Sequence, residues 1–478
     1  SLTHNTNFSF NTQRGSHAVK WGGDFRVYRA FENRYPLETS PDLVFSTTYT
    51  KGPLDNASAA PIGQDLASML LGIATSGSME RPASFAMQNL YFGAFFQDDI
   101  KLARGLTVNL GLRYEMETPL TERYDRLVAG YAFDTPNPID AEARANYAKS
   151  PIPQLPADQF RAMGGILFAG ETKAGRSPFR TEKNNLLPRF GLEYQLNSNT
   201  TIRSGYGIYY GTIGVNGTDP QQFGFSQATP IQPSLDSGQT YRAFVSNPFP
   251  NGLLEPPGRS GGLRTYLSQA ITYHDLNRKQ AYSQRWTLEL QRLLPSHFVI
   301  DTSYVGNRGT RLGVTQQLNS VPRQYLSTSA LRDATTIGFL GDVFNNPFYG
   351  LGPFYTRTIT RGNLLKPYPH FGNITNSQPM GYNWYHALQV RAGRRMTRGF
   401  TANLGYAFTK TMEATQFLNE TDPMPYETVA AGHRPHRLTL NGILEIPVGR
   451  GKRLFPNMPR RLNRVFGNWQ LSAVVIRQ

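Results

Sequence analysis

Two adjacent carboxylates, Asp98 and Asp99, are the first residues in this chain whose types and spacing suggest acid–base chemistry. A general acid and a general base must converge on the same reacting group. The pair lies in a segment that is predicted to be a β-strand, where neighbouring side chains point to opposite faces of the sheet. We therefore interpret Asp98 and Asp99 as members of a strand, and we expect no catalysis from them.

Two histidines, His433 and His436, suggest a metal site, because imidazole is a common zinc ligand. Their i, i+3 spacing crosses Pro435 at the start of a strand and gives no shared face, and no third ligand is evident. The triplet Gly205-Tyr206-Gly207 lacks the strand–turn–helix context of a dinucleotide-binding loop. No Ser/His/Asp arrangement stands out at a motif-like spacing. We expect a protein that is not an enzyme and that has no catalytic, cofactor-binding or metal site.

The composition of the 478 residues favours a pleated surface with tight turns over a packed aliphatic core. Only 39% of the residues are hydrophobic, whereas 12% are aromatic and 45 are glycine. The absence of cysteine excludes a disulfide framework, a Cys zinc site and a thiol nucleophile. The longest apolar run, Leu66–Ala74, is about half of the roughly 18 residues that a membrane helix needs. A helical membrane protein is excluded.

The charge is strongly basic, with 49 Lys and Arg against 33 Asp and Glu, a formal net charge of +16. Such a balance attracts nucleic acid, anionic lipid or an acidic ligand. A nucleic-acid-binding protein usually concentrates its positive charge in a stripe or a tail. Here arginine is spread along the chain, with one cluster at Arg450–Arg464. We therefore expect no nucleic-acid partner.

Apolar and polar residues alternate with period two in about twelve segments, which predicts strands with one apolar and one polar face. In Thr107–Glu115, for example, Val108, Leu110 and Leu112 alternate with Asn109 and Arg113. The apolar residues of these segments are expected to face lipid. The same pattern recurs at 19–27, 189–195, 286–291, 388–391, 438–446 and 469–475.

The connections between these segments are alternately very short and very long. Short turns are predicted at 14–16, 103–105, 197–199, 294–296 and 397–399. Long, structureless loops are predicted at about 30–85, 118–184, 212–281, 307–380 and 411–433. One of these holds a short helix around Leu66–Ile73, which we expect to pack against a loop or the wall. A soluble domain seldom carries one structureless loop beyond about 15 residues.

This asymmetry is typical of outer-membrane barrels, which have short periplasmic turns and long extracellular loops. Tyrosine and tryptophan gather near the strand ends, as an interfacial aromatic girdle requires. The predicted fold is all-β: a transmembrane, antiparallel, up-and-down β-barrel, with residues 1–478 forming part of one domain in the outer membrane of a Gram-negative bacterium. The alternative is a large soluble β-sandwich or propeller. A propeller would show blade repeats of roughly 40–50 residues, whereas the spacing here is nearer to a hundred.

The polar face of such a barrel lines a wet lumen. The alternation therefore predicts a set of lumen-facing candidates that hydrate the lumen or contact whatever fills it. They are Lys20, Asp24, Arg26, Arg113, Glu115, Arg189, Glu193, Arg203, Glu289, Gln291, Arg391, Asn441 and Glu445.

Several phrases in the chain are similar to those of one family. Phe95-Phe96-Gln97-Asp98-Asp99, followed by 106–115, resembles the most recognisable hairpin of the TonB-dependent receptors, in particular the Oar-like branch common in acidobacteria. Further phrases follow in the order of that family at 187–191, 203–210, 304–312, 385–390, 433–437 and 467–471. The loop helix 65–72 is also similar to a segment found there.

The resemblance implies a barrel of roughly 22 strands with a plug in its lumen. It also implies a carboxypeptidase-regulatory-like domain that often precedes the plug. None of these N-terminal parts is visible here, and neither are the last strands, so we expect a barrel fragment. The implied partners are outer-membrane lipid and lipopolysaccharide, the TonB motor complex acting through a plug outside this chain, and a transported siderophore, peptide or oligosaccharide. The alternative is a surface or adhesion protein that transports nothing.

Overall fold

Twelve long strands form the wall of the protein. The computed structural model describes residues 1–32, 40–51, 63–212, 221–234, 240–295, 298–397 and 399–478. Parts of the first and third long connections, and Ser296 and Arg398 of two predicted turns, lie outside these residues. The wall strands are β1 (Leu2–Arg14), β2 (His17–Glu32), β3 (Phe85–Ala103), β4 (Leu106–Glu117), β5 (Glu182–Asn197), β6 (Thr200–Tyr210), β7 (Tyr282–Leu294), β8 (Phe298–Gln317), β9 (Ile374–Thr397), β10 (Phe400–Ala414), β11 (His436–Glu445) and β12 (Gln470–Arg477).

The wall is an antiparallel meander in which each strand pairs with its neighbours in sequence. The predicted pairing of β4 with β3 is confirmed, with Leu112 opposite Phe96 and Glu117 opposite Tyr91. Gly15 (φ 60°) lies in the β1–β2 turn in the left-handed region that glycine tolerates best. Within the described residues, β1 and β12 stand at the two ends of the sheet order.

The fourth long connection is shorter than the sequence pattern indicated. β8 continues to Gln317 and β9 begins at Ile374, so both strands extend into the predicted loop 307–380. The ladder shifts register around Leu312, beside Arg311, which adopts a positive φ of 58°. A bulge of this kind interrupts the period-two pattern although the pairing resumes beyond it. The predicted start of the loop at 307, where the alternation ends, is therefore wrong.

Short strands and helices occupy the connections. The helices are α1 (Gln64–Leu70), α2 (Asp140–Tyr147), α3 (Ala334–Gly341), α4 (Arg361–Leu364) and α5 (Arg460–Phe466), with 3₁₀ turns at Thr47–Tyr49, Gly258–Arg264 and Arg323–Tyr325. Small sheets pair Asp42–Val44, Ser76–Arg81 and Gln227–Pro230, Val128–Tyr131 with Ile166–Phe168, and Val343–Asn345 with Thr358–Thr360. Thr121–Glu122 pairs with β3, Ile271–His274 with β9 and Thr428–Val429 with β10.

The helix predicted around Leu66–Ile73 is present as α1, but its predicted packing is wrong. Leu66, Met69 and Leu70 are exposed by 55%, 56% and 80%. The side chain that α1 turns inward is Ser68, whose hydroxyl donates to the carbonyl of Ile73 at 2.7 Å. The buried apolar residues of this segment are Ile73 and Ala74, which lie beyond the end of the helix. Among the described residues, none belongs to a helix with the length and apolar character needed to cross a membrane.

The register places all thirteen lumen-facing candidates on one face of the wall. The ladder sets Arg203 opposite both Glu193 and Glu289, and Asn441 opposite Asn403. Because side chains alternate along a strand, Leu110, Leu112, Leu288, Leu290, Val390 and Leu440 lie on the other face. The five leucines of this set are 45–54% exposed. The wall therefore has one apolar, open face and one polar face.

The main buried core lies in the long connections and not between wall strands. Nineteen buried residues from the second, third and fourth connections, together with Ile374 at the start of β9, form one hydrophobic cluster. A smaller cluster joins Ala74 of the first connection to Ile231 and Ala243 of the third. The expectation of structureless loops is therefore wrong for these connections. Their apolar residues are too dispersed to show a period, yet they pack together at the end of the wall where the long connections lie.

An arginine on the apolar face should destabilise the wall more than one on the polar face. Leu112→Arg, near the middle of β4, is expected to lower the free energy of unfolding by about 2–4 kcal/mol, because a guanidinium near the bilayer midplane is poorly solvated. Asn109→Arg introduces the same side chain on the polar face and should cost far less. The measurement is urea unfolding in phospholipid vesicles, and equal losses for both variants would contradict the face assignment.

Candidate functional site

The first charged network on the polar face joins strands β2, β3 and β4. Arg26 donates to both carboxylate oxygens of Asp24 at 2.8 Å. Arg113 reaches Asp24 at 3.2 Å, Glu115 at 2.5 Å and the hydroxyl of Tyr91 at 2.7 Å. Four predicted candidates thus meet in one network, because cross-strand neighbours on the same face lie within side-chain reach.

The second charged network centres on Arg203 of β6. Its guanidinium lies 3.4 Å from Glu193 of β5 and 3.2 Å from Glu289 of β7. It also donates to Gln291 at 3.4 Å, and Gln291 in turn donates to Asp301 of β8 at 2.7 Å. Four more predicted candidates therefore belong together, bridging four adjacent strands.

In the described part of the chain, the other five candidates form no hydrogen bond or ion pair with either network, so the thirteen do not form a single site. Among the described residues, Arg391 lines a shallow depression with Asp301 and Asn403. The contacts of the other four are Lys20 over the ring of Phe95 (5.9 Å), Arg189 over the ring of Tyr209 (5.0 Å), Asn441 with Asn403 (3.0 Å) and Glu445 with Lys452 (3.2 Å).

Sequence reasoning missed Tyr91 and Asp301, which also belong to these networks. Tyr91 is an aromatic residue on the polar face, so the apolar–polar rule assigned it to neither set of candidates. Asp301 lies in β8, where Val299 and Val305 share its face and weaken the alternation. The signal that identifies both residues is register, since each lies on the same face as a charged candidate of a neighbouring strand.

Above the wall, the long connections fold into a unit that we call the cap, defined by residues 118–181, 221–234, 240–281 and 318–373. Tyr131 lies at the centre of its aromatic packing. Its ring centroid is 5.0 Å from Phe133, 5.2 Å from Tyr368 and 5.8 Å from Phe371. These contacts join the second connection to the fourth.

The side-chain amides of buried asparagines form hydrogen bonds with the backbone of the cap. Asn319 donates to the carbonyls of Tyr368 at 2.9 Å and Gly372 at 2.7 Å, and Asn137 donates to Gly164 at 2.8 Å and Leu263 at 2.7 Å. Buried backbone carbonyls need such partners. The cap is therefore held by directed bonds as well as by apolar packing.

His370 is fully buried in the cap. Its ring lies 5.8 Å from that of Phe348 and 4.5 Å from that of Phe371. Burial among these rings disfavours the charged imidazolium and lowers the pKa of His370 to about 3. His370 is therefore neutral at physiological pH and belongs to the structure of the cap.

A cleft of about 150 Å³ lies where the cap meets the wall, and we call it the junction cleft. Its carboxylates are Glu117, the last residue of β4, and Glu182, the first residue of β5. Glu182 is paired with Arg311 at 3.1 Å and with Lys279 at 3.6 Å. Glu117 accepts a hydrogen bond of 2.7 Å from Asn89.

The cationic residues of the junction cleft outnumber its carboxylates. It is lined by four cationic residues, Arg180, Arg278, Lys279 and Arg311, and by two carboxylates, Glu117 and Glu182. Arg278 lies over the ring of Phe179 at 5.0 Å, and burial lowers its pKa. An excess of cations in a partly desolvated cleft attracts an anionic group. Sequence reasoning missed this site because its charged residues come from β4, β5, β8 and the second and third connections.

The residues that suggested chemistry from sequence form separate, local contacts. Asp98 contacts His17 at 2.6 Å, whereas Asp99, on the opposite face, accepts from Asn109 at 2.7 Å. His436 contacts the hydroxyl of Tyr406 at 2.8 Å. Over the described ranges, no group of three or more His, Asp or Glu side chains is arranged to hold a metal ion.

Comparison with known proteins agrees with this architecture. The family model for an outer membrane beta barrel domain matches residues 2–478, and the chain belongs to this family. It is therefore a protein of the outer membrane of Gram-negative cells, and its apolar wall face is the face suited to lipid. No curated protein matches the sequence.

Solved structures with a similar fold are outer-membrane proteins of low sequence identity. The transporter YddB from Escherichia coli is 11% identical with a TM-score of 0.45, covering 99% of this chain and 47% of its own. The ferric-catecholate import receptor Fiu from Escherichia coli K12 is 10% identical with a TM-score of 0.39, at 93% and 42% coverage. The iron transporter FrpB from Neisseria meningitidis is 12% identical with a TM-score of 0.38, at 93% and 41%. This chain spans less than half the length of each.

The buried His370 should make the cap sensitive to acid. In the unfolded cap its pKa returns to the ordinary 6.5, so between about pH 3 and 6.5 the unfolded state binds the additional proton. The free energy of unfolding of the cap is therefore highest above pH 6.5 and falls as the pH decreases towards 3. Amide hydrogen exchange of Asn137–Phe168 at pH 7.5 and pH 5 measures this, and His370→Leu should show a smaller pH dependence. An unchanged pH dependence in that variant would contradict the assignment.

Proposed function

We propose that this chain is part of a TonB-dependent outer-membrane transporter of the Oar-like branch, in which it forms barrel wall and extracellular cap. The observation that carries the proposal is the junction cleft, a cationic site placed between the cap and the polar face of the wall. A ligand captured at the long-loop end would meet this cleft on its way along the polar face. The motif resemblance at 95–115 supports the assignment to this branch.

In this proposal the polar face of the wall lines the lumen. The thirteen candidates lie on that face, and the networks around Arg113 and Arg203 already satisfy many of their own charges. A wall whose charges are paired internally offers hydrogen bonds to water and to a removable domain without binding either too strongly. We propose that a plug outside this chain occupies the lumen and that the TonB motor complex acts on it.

The charge of the junction cleft supports an anionic group on the ligand. Arg311 and Lys279 are shared with Glu182, whereas Arg180 contacts the neutral side chain of Asn277 at 3.1 Å. A carboxylate or phosphate would gain charge-assisted hydrogen bonds there. Siderophores, peptides and oligosaccharides that carry such groups all fit this chemistry. Outer-membrane lipid and lipopolysaccharide surround the wall in the same proposal.

A surface or adhesion protein without transport is the second candidate. The observation that favours it is the apolar exposure of the cap, where Tyr355 and Leu331 are 82% and 81% exposed. Exposed aromatic and aliphatic groups mark a contact surface as readily as a capture surface.

Removal of a cation from the junction cleft should weaken ligand capture. Arg180→Gln and Lys279→Gln are each expected to lower the apparent affinity roughly tenfold, because one charge-assisted hydrogen bond contributes about 1.5–3 kcal/mol. Lys183→Gln removes the same charge from an exposed residue outside the cleft and serves as the control. The measurement is depletion of solutes from spent medium by the native bacterium, followed by mass spectrometry.

The same experiment separates the two candidate functions. A transporter depletes one anionic compound in wild-type cells, and depletion stops in the gene deletion or when the proton-motive force is collapsed. If the deletion changes attachment to surfaces while no solute is depleted, the adhesion protein is the correct assignment. Depletion that is unaffected by Arg180→Gln and Lys279→Gln would preserve transport but remove the junction cleft from it.

A further inference from the structure

The connection between β11 and β12, Ile446–Trp469, stands out among the turns at the short-turn end of the wall. We call it the basic segment, because it contains five arginines and one lysine and no acidic residue. Antiparallel pairing of β11 with β12 places both of its ends at one end of the wall. The backbone N–H of Glu445 donates to Gly399 in the β9–β10 turn at 2.7 Å, which fixes that end as the short-turn end.

The basic segment is folded on itself. The backbone N–H of Ile446 donates to the carbonyl of Trp469 at 2.8 Å, and that of Arg450 donates to the side chain of Asn463 at 2.6 Å. The indole of Trp469 donates to the carbonyl of Val465 at 2.7 Å, so the tryptophan is tied to α5. The segment therefore presents its side chains from a defined scaffold.

One side of this scaffold is apolar and open. Leu462, Val465 and Phe466 follow the i, i+3, i+4 spacing that aligns residues along one side of α5. Trp469 lies beyond the end of the helix and is held against it by the bond of its indole to Val465, and we call these four residues the apolar stripe. They are exposed by 50%, 57%, 58% and 58%. These exposed apolar side chains need a non-aqueous neighbour.

The charges of the basic segment have few internal partners. Lys452 is paired with Glu445 at 3.2 Å. Arg450, Arg453, Arg460, Arg461 and Arg464 form no ion pair with a carboxylate among the described residues. Their combined charge repels a second copy of the segment and attracts a surface of fixed negative charge.

We propose that the basic segment lies on the inner leaflet of the outer membrane, with its apolar stripe in the headgroup boundary and its arginines on the phosphates of anionic lipids. Short turns face the periplasm, so this leaflet is the surface within reach. An amphipathic helix with a basic polar side binds such a surface by burying apolar area and by attracting anionic headgroups.

The continuity of the apolar stripe with the wall supports a lipid over a protein partner. Trp469 precedes Leu471 and Val475 by even steps, which places it on the same face as those residues. Leu471 pairs with Leu444 and Val475 with Leu440, so this face is the apolar face of the wall. A tryptophan at the end of a lipid-facing strand occupies the position of an interfacial anchor. The stripe thus extends the lipid-facing band into the headgroup layer.

The test measures where residue 465 lies in lipid vesicles. These 478 residues contain no cysteine, so Val465→Cys in this chain carries one environment-sensitive fluorophore. The protein is reconstituted in vesicles of phosphatidylethanolamine alone or with phosphatidylglycerol. In the anionic vesicles we expect protection from the neutral quencher acrylamide and strong quenching by brominated lipid. Added salt should weaken both effects, since it screens the headgroup charges.

The second part of the test removes single positive charges from α5. Each of Arg460→Gln, Arg461→Gln and Arg464→Gln should lower the interfacial occupancy about fivefold at low salt, because one basic residue near an anionic surface contributes about that factor. The control is the same probe at Ser198→Cys in the β5–β6 turn, which lies at the same end of the wall and should stay accessible to acrylamide in both vesicles. Heat-modifiable migration on gels verifies that each variant is folded.

Three results would overturn the proposal. The first is equal acrylamide quenching at residue 465 in neutral and anionic vesicles. The second is protection that persists when all three arginines are replaced. The third is protection without quenching by brominated lipid, in which case the apolar stripe is covered by protein and not by the membrane. None of these results depends on whether the protein transports a ligand.

Discussion

The wall depends on one constraint, which is that each backbone N–H and C=O within a bilayer must find its partner in a neighbouring strand. The unbroken order from β1 to β12 satisfies this for every strand that has a neighbour on both sides, β2 to β11, within the described residues. Pairing also fixes register, and register fixes which face each side chain occupies. The apolar set with Leu112 and the polar set with Arg113 are therefore consequences of the same ladder. A slip of one residue in any strand would exchange its two faces.

The cap, unlike the wall, is stabilised by a buried hydrophobic core. A wall that is apolar on one side and polar on the other has little core of its own, so most large buried side chains lie elsewhere. Phe160, Phe168 and Phe348 are buried in the cap, where water on the outside supplies the hydrophobic effect that lipid does not. The junction cleft lies where these two kinds of packing meet. Charged residues such as Glu182 and Arg311 form an ion pair there, at 3.1 Å.

The sequence predicted the wall well and the cap poorly, for a physical reason. Period-two alternation is a local signal, and it predicted twelve strands, the β3–β4 pairing and the common face of residues such as Arg113 and Arg203. The core of the cap has no such period, because its residues come from connections distant in sequence. Tyr91 and Asp301 escaped notice because only register shows that they lie beside charged neighbours. The bulge near Leu312 hid the true length of β8 for the same reason.

The cap also makes insertion of the wall strands into the bilayer different from their withdrawal. Val128 and Ile374 belong to one core although they lie 246 positions apart, with β5, β6, β7 and β8 between them. Closing so long a loop costs chain entropy, so the contact is a late event in assembly. The core of the cap joins residues on both sides of these four strands, so it is complete only when all four strands are in place. Once it has packed, this core opposes the withdrawal of β5, β6, β7 or β8 from the membrane, because withdrawal of any of these strands would unfold the core. The free-energy barrier to extracting these strands from the membrane therefore differs from the barrier to inserting them. The core of the cap holds the barrel in place from the outer side of the membrane.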